Sequence, residues 1–265
     1  MRAKLSQHFL FDGNILNKIV NLSGLKRGES VIEIGAGMGT LTEVLLPDAK
    51  RICAFELDRK LVSIMKERFS RKMNLEIIQG NFLKFNLADL KKEENEKFRV
   101  IANIPYAITT DIISKLINNR KLISSATLTV QKEYGERLVG KPGTKKYSAL
   151  TVFVNSYADI DLLFKIQAAA FSPAPKVDSV VVKLDWNVKE KVLDLDSKKF
   201  SLFVKLLFSE RRKQLKNSLK IMTKLEPEVV EGILEKLNIP GNIRPEKLLL
   251  DEFIKLFKEV YGNEK

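Results

Sequence analysis

The sequence predicts an α/β fold: a doubly wound, mostly parallel sheet with an antiparallel last strand, followed by a small α-helical domain. Three observations carry this. Short continuous apolar runs alternate with helical periodicity through the first half of the chain; two β-type runs joined by a short proline-bearing link follow; and beyond Asn187 only helical periodicity remains. Strands that are apolar on both faces belong to sheets covered by helices on both sides, which is the parallel arrangement.

Taken in order, Gly13–Leu25 carries Ile15, Leu16, Ile19, Val20 and Leu22 at helical spacing. Ser30–Ile34, Arg51–Glu56, Leu75–Gln79, Arg99–Ala102 and Ala126–Gln131 read as buried strands, with Leu41–Leu46, Lys60–Phe69 and Thr110–Ile117 among the intervening helices. Thr151–Phe164 and Val177–Trp186 read as two further β-runs. The link Ala168–Lys176, with Pro173 and Pro175, is too short for a crossover, so they should pair antiparallel. Lys198–Phe208, Arg211–Met222, Pro227–Leu237 and Leu248–Val260 read as helices broken near Pro240-Gly241 and Pro245. The expected domains are 1–186 and 187–265.

Composition narrows the chemistry. The chain has 265 residues, 45% hydrophobic, with a net charge of +13. That is the balance of a soluble globular protein with a polyanionic partner. The charge divides as +9 in residues 1–186 and +4 in 187–265, so both parts should face that partner. One cysteine, Cys53, and one histidine, His8, supply no disulfide framework, no Cys/His zinc site and no Cys–His nucleophilic pair. The expected metal content is none. Met1–Leu10 is basic and polar, unlike a secretory signal, and no run approaches the roughly 20 apolar residues of a membrane span. The setting expected is reducing and cytoplasmic, away from membranes, with Cys53 a small core residue.

Three strand ends in succession offer ligand groups. Val31–Ile34 runs into Gly35-Ala36-Gly37-Met38-Gly39, where glycines permit a tight turn and close approach of a ligand to the backbone. Arg51–Glu56 ends in a carboxylate placed to bind the two hydroxyls of a ribose. Leu75–Gln79 is followed by Gly80-Asn81-Phe82, where the Asn81 side chain and the Phe82 backbone can read an adenine edge. The Gly-x-Gly-x-Gly spacing differs from the dinucleotide fingerprint. The layout suits S-adenosylmethionine at least as well as NAD, because one nucleoside is held and no pyrophosphate is cradled.

The fourth strand ends in Asn103-Ile104-Pro105-Tyr106. This resembles the Asn-Ile/Leu-Pro-Tyr motif of the ribosomal RNA adenine dimethyltransferases, within the wider group of methyltransferases acting on exocyclic amines. The adenine amino nitrogen is a poor nucleophile because its lone pair is delocalised into the ring. If the Asn103 side-chain oxygen and the Ile104 carbonyl accept its two N–H bonds, the lone pair can be aimed at a sulfonium methyl. Pro105 rigidifies the turn and Tyr106 offers a stacking face for an extruded base.

The resemblance extends along the chain. Ser6-Gln7-His8-Phe9-Leu10 is similar to the family's N-terminal signature, which implies RNA contacts at Arg2 and Lys4 and cofactor contacts at His8 and Leu10, with Gly35, Gly37, Gly39, Glu56, Asn81, Phe82 and Asn103. Gln131-Lys132-Glu133, Lys141–Thr144 and Tyr147–Leu150 match the segment after the fifth strand. Phe171-Ser-Pro-Ala-Pro-Lys-Val resembles the Phe-x-Pro-x-Pro-Lys-Val loop, which implies that Phe171 stacks the target adenine against Tyr106 and that Lys176 meets RNA. One departure stands out: the family usually has Asp where this chain has Asn81, whose amide oxygen can still accept a hydrogen bond.

Phe208–Leu219 resembles the Phe-x-x-Arg-Arg-Lys-x-Leu-x-Asn-x-Leu helix of the small-subunit branch, which implies a phosphate-binding face at Arg211, Arg212, Lys213 and Lys216. The resemblance therefore implies a Rossmann-like class I methyltransferase sheet using S-adenosylmethionine and releasing S-adenosylhomocysteine. It implies a monomer that dimethylates two adjacent adenines near the 3′ end of small-subunit ribosomal RNA in a pre-30S-type particle. A large-subunit RNA substrate and an RNA-binding assembly factor without turnover are the alternatives, and a nicotinamide-dependent oxidoreductase is a weaker third.

Overall fold

The computed structural model describes residues 8–186, 195–210 and 212–262. The described residues pack as two compact units, one holding those up to Gly135 with Ile160–Trp186, the other Glu136–Asp159 with those beyond Trp186.

The first unit is built on a sheet. A two-residue strand β1 (Phe9–Leu10) leads into helix α1 (Gly13–Ser23), and β2 (Ser30–Ile34), α2 (Thr40–Leu45), β3 (Arg51–Glu56), α3 (Arg59–Arg68) and β4 (Leu75–Gln79) follow. The chain continues through β5 (Phe98–Asn103), α4 (Thr109–Asn118), β6 (Ile123–Gln131), α5 (Lys132–Leu138), α6 (Ala149–Asn155), β7 (Asp159–Ile166), β8 (Phe171–Ser172) and β9 (Ser179–Asp185), with α6 belonging to the second unit. The strand order is β4-β3-β2-β5-β6-β9-β7, with β1 and β8 forming a separate pair. Strands β4 through β6 are parallel, and β9 runs antiparallel to β6 in the register Gln131↔Ser179 to Ser125↔Asp185. The order reverses at β2, between β3 and β5. Ligands of such sheets bind beyond the strand C-termini at that point.

Packing follows from the residue pattern. β2 is buried along its whole length, and the apolar face of α4, Ile112, Ile113, Leu116 and Ile117, is fully covered. The α1 helix is started by Asp12, whose carboxylate accepts from the Asn14 and Ile15 N–H groups, and stopped by Gly24 at φ +71°. Cys53 is completely buried, and desolvation pushes its thiol up to about 12, so it is an inert core residue.

Two readings between β6 and β8 depart from expectation. Thr151–Phe164 is not one strand: Ala149–Asn155 is helical and only Asp159–Ile166 is strand. The β-branched Thr151, Val152 and Val154 favour a strand locally, but Ser148 and Thr151 form a capping box and all three side chains are buried, so tertiary contacts override propensity. The segment Glu136–Asp159, assigned by the sequence to the first domain, packs in the second unit.

The second unit also contains α7 (Ser197–Ser209), α8 (Leu215–Thr223), α9 (Pro227–Lys236) and α10 (Leu250–Tyr261). Its core is aromatic, with Phe200, Phe203 and Phe257 in mutual contact and Phe208 stacked on Phe253. The helix expected over Arg211–Met222 begins only at Leu215. Arg212 and Lys213 therefore sit in the connection before α8, where Lys213 N–H closes a turn on the Glu210 carbonyl.

Arg99 of β5 ties the sheet to α1. Its Nε and Nη2 donate to Glu29 at 3.0 and 2.9 Å, and Nη1 donates to the Ser23 carbonyl at 2.9 Å and Ser125 Oγ at 2.7 Å. Arg99→Met is expected to lower stability by about 1–3 kcal/mol, because Glu29 loses its guanidinium partner and the Ser23 carbonyl the Arg99 donor. Urea denaturation checks it; an unchanged midpoint would show that water replaces all four bonds without loss.

Candidate active site

The ends of β2, β3, β4 and β5 and the segment His8–Leu10 line one cleft. Its first wall is the glycine turn. Gly35, Gly37 and Gly39 all have positive φ, at 73, 61 and 83°, which an L side chain rarely adopts. Gly35 and Gly37 line the cleft. A Cβ on Gly37 would come within 2.9 Å of the Phe9 ring, so this glycine also makes room for the segment lying over it. Gly39 is not at the cleft; it starts α2, and a Cβ there would run into Phe69. Its role is packing.

Glu56 organises the neighbouring strand end. It is 6% exposed, and its carboxylate accepts from Gly37 N–H at 2.8 Å, Leu57 N–H at 2.7 Å and Asp58 N–H at 2.8 Å. Two carboxylate oxygens have about four acceptor sites, which leaves capacity for a ribose hydroxyl. Asn81 caps the turn that follows β4, its Oδ1 accepting from Leu83 N–H at 2.9 Å. Phe82 is buried edge-on against Phe55 at 5.2 Å and forms an apolar wall. Lys115, missed by sequence reasoning, holds this turn from behind: its Nζ donates to the Leu83 carbonyl at 3.0 Å and to the Phe85 carbonyl.

Asn103, half-buried at the end of β5, donates from Nδ2 to the His8 carbonyl at 3.2 Å. Ile104 and Pro105 line the cleft beside it. Tyr106 is hydrogen-bonded through its hydroxyl to Ser179 at 2.6 Å, and the His8 imidazole stacks 5.9 Å from its ring. Burial holds the Tyr106 phenol above its usual range, against the opposing effect of the Ser179 bond. It is a neutral ring for stacking and no base at neutral pH.

Of the expected site residues, His8, Leu10, Gly35, Gly37, Glu56, Asn81, Phe82, Asn103, Ile104, Pro105 and Tyr106 converge on the cleft. Phe171 does not. It is 4% exposed, paired with Leu10 across β1 and β8, and sits in the apolar cluster containing Leu16, Ile166 and Val181. Burial among aliphatic neighbours holds the ring there in place of a base-stacking position. Lys176 and Arg212 are exposed, Lys213 pairs with Glu210 at 2.9 Å, and Lys216 lies on α8. Among the described residues, Arg212, Lys213 and Lys216 are thus spread over a turn and a helix start, not one helical face. Arg2, Lys4 and Arg211 lie outside the described residues.

Glu33, an acid inside the apolar run of β2, also faces the cleft. Burial pushes its carboxyl up to about 8, with the Thr42 hydroxyl bond at 2.5 Å opposing and Glu56 adding to the rise. The folded chain therefore keeps a proton that the unfolded chain loses near the ordinary carboxyl value of 4.5, so stability falls as pH rises from there to about 8. Glu33→Gln lacks this slope. Its stability should gain on the parent by about 1.4 kcal/mol per pH unit at most across that window. Denaturation at several pH values checks it, and a pH-independent difference contradicts it.

The model of the ribosomal RNA adenine dimethylase family matches residues 1–261. A ribosomal RNA small subunit methyltransferase A of Clostridium acetobutylicum is 39% identical over 258 residues, 97% of this chain and 93% of that one. Its namesake from Caldanaerobacter subterraneus is 39% identical over 262 residues, 98% of this chain and 97% of that one. Among solved structures, a dimethyladenosine transferase from Plasmodium falciparum superposes with TM-score 0.81 at 30% identity, covering 94% of this chain and 96% of the other. A 23S rRNA methyltransferase shares the fold at TM-score 0.69 and 24% identity, covering 95% of this chain and 99% of the other. The chain belongs to the ribosomal RNA adenine dimethylase family.

Proposed function

We propose that this protein transfers methyl groups from S-adenosylmethionine to the N6 amino groups of two adjacent adenines near the 3′ end of small-subunit ribosomal RNA. The product is N6,N6-dimethyladenosine, formed during small-subunit assembly in the cytoplasm. The observation that carries this reading is the convergence of Asn103, Ile104 and Tyr106 with Gly35, Glu56 and Phe82 on one cleft. The relatives named small subunit methyltransferase A support the choice of RNA.

The cleft fits the cofactor. The Phe55–Phe82 pair gives an apolar wall for adenine, Glu56 retains acceptor capacity for ribose, and the glycine turn leaves backbone open to close approach. When bound, S-adenosylmethionine supplies an electrophilic methyl group on a sulfonium. The protein's task is to present the amine. Asn103 Oδ1 and the Ile104 carbonyl accept its two N–H bonds, drawing the nitrogen lone pair out of conjugation, while Tyr106 stacks the base. The alkylated nitrogen is acidic and loses its proton after transfer, so no base is needed beforehand. A monomethylated amine keeps one hydrogen for one acceptor and the dimethylated amine has none, so transfer stops there.

RNA is held by phosphate contacts from Lys176, Arg212, Lys213 and Lys216, with Arg2, Lys4 and Arg211, consistent with the net charge of +13. Undermethylated small subunits incubated with the protein and labelled S-adenosylmethionine are expected to yield dimethyladenosine in small-subunit RNA by mass spectrometry. Label confined to large-subunit RNA would overturn the substrate. Calorimetry showing no cofactor binding would point to an assembly factor without turnover.

A further inference from the structure

An asparagine amide has two ends of opposite character: Oδ1 accepts and Nδ2 donates. Only one orientation of Asn103 presents an acceptor to an amine. In this protein a backbone group from the segment before α1 settles which, because Nδ2 donates to the His8 carbonyl at 3.2 Å. A carbonyl oxygen has no hydrogen to offer. Turning the amide over would set two lone-pair-bearing oxygens against each other. Resting on the methyl-transfer reading above, we propose that His8 is a positioning residue of that reaction: its backbone carbonyl holds the Asn103 amide with Oδ1 turned to the acceptor amine.

The carbonyl is itself held from both sides. The His8 ring approaches the Pro173 carbonyl through Nδ1 at 2.6 Å and stacks on Tyr106. The Phe9 ring lies against Gly37, and the Leu10 carbonyl accepts from Thr40 Oγ1 at 3.1 Å. Strand β1 pairs Phe9 with Ser172 and Leu10 with Phe171. The buried Phe171 thereby acquires a role, as the anchor of the strand that sets the amide. With Asn103 so oriented, the reacting position meets two acceptors, Oδ1 and the Ile104 carbonyl. That pair suits the hydrogens of an amine and repels a ring carbonyl.

Asn103→Asp tests the idea, because it replaces Nδ2 with oxygen while keeping an acceptor for the amine. Ionised, the new carboxylate opposes the His8 carbonyl. Protonated, its O–H donates to that carbonyl and its other oxygen faces the amine, as in the parent. Single-turnover transfer at saturating cofactor and undermethylated small subunits, between about pH 6 and 8.5, is expected to fall in the variant relative to the parent by up to about tenfold per pH unit. The other titratable groups lining the cleft, His8, Glu33, Glu56 and Tyr106, are common to both chains, so their effects divide out of the ratio. A ratio that is flat or rises with pH, or no transfer by the variant at any pH, overturns the proposal. Failure of the methyl-transfer reading itself shows differently, as a parent chain that transfers nothing.

Discussion

Glu56 is the point on which the cleft depends. Its carboxylate gathers the N–H groups of Gly37, Leu57 and Asp58, and its own carbonyl accepts from Gly80 N–H at 2.9 Å. One residue at the end of β3 thus fastens the turn after β2, its own exit and the turn after β4. The neighbouring Phe55 carbonyl adds bonds from Gly35 and Ala36 N–H at 2.9 and 3.0 Å. Backbone N–H groups that would otherwise stand unpaired at three strand ends are satisfied by a single strand terminus. Three adjacent turns are locked in register with one another by hydrogen bonds to one strand end.

That rigidity suits a reaction in which the protein need only orient. An exocyclic amine is activated by where its hydrogens point, and the groups proposed above to direct them, Asn103 and Ile104, sit at the end of β5 beside this locked set of turns. Tyr106 is fixed through Ser179, a residue of β9, so the strand antiparallel to β6 supports this side of the cleft. The scarcity of histidine and cysteine then fits the chemistry: direct transfer to an oriented amine requires neither a thiol nor an imidazole base.

Much of this was legible in the sequence because the site lies where strands stop. A continuous apolar run followed by glycine, an acid or Asn-Ile-Pro-Tyr marks a strand and where it stops, and the strand assignments agree with the structure from Ser30 to Asn103. Thr151–Phe164 misled because β-branched residues score as strand, while the Ser148 cap and burial of Val152 and Val154 decide for helix. Phe171 was misplaced because a motif position does not say whether a ring faces a cleft or a core. The exposed charges Arg212 and Lys213 carry no periodic apolar partner that would place α8's start. Glu33 had a readable signal, an acid within Val31-Ile32-Glu33-Ile34, whereas the His8 carbonyl is a backbone group and leaves none.

The central claim is that Asn103 accelerates transfer by orienting the amine and contributes little to holding the cofactor. Single-turnover methyl transfer by Asn103→Ala, measured beside calorimetric S-adenosylmethionine binding, tests it most directly. The account predicts loss of transfer by about a hundredfold or more, with cofactor affinity kept within about tenfold of the parent. Transfer at the parent rate, or loss of transfer fully explained by loss of cofactor binding, would contradict it.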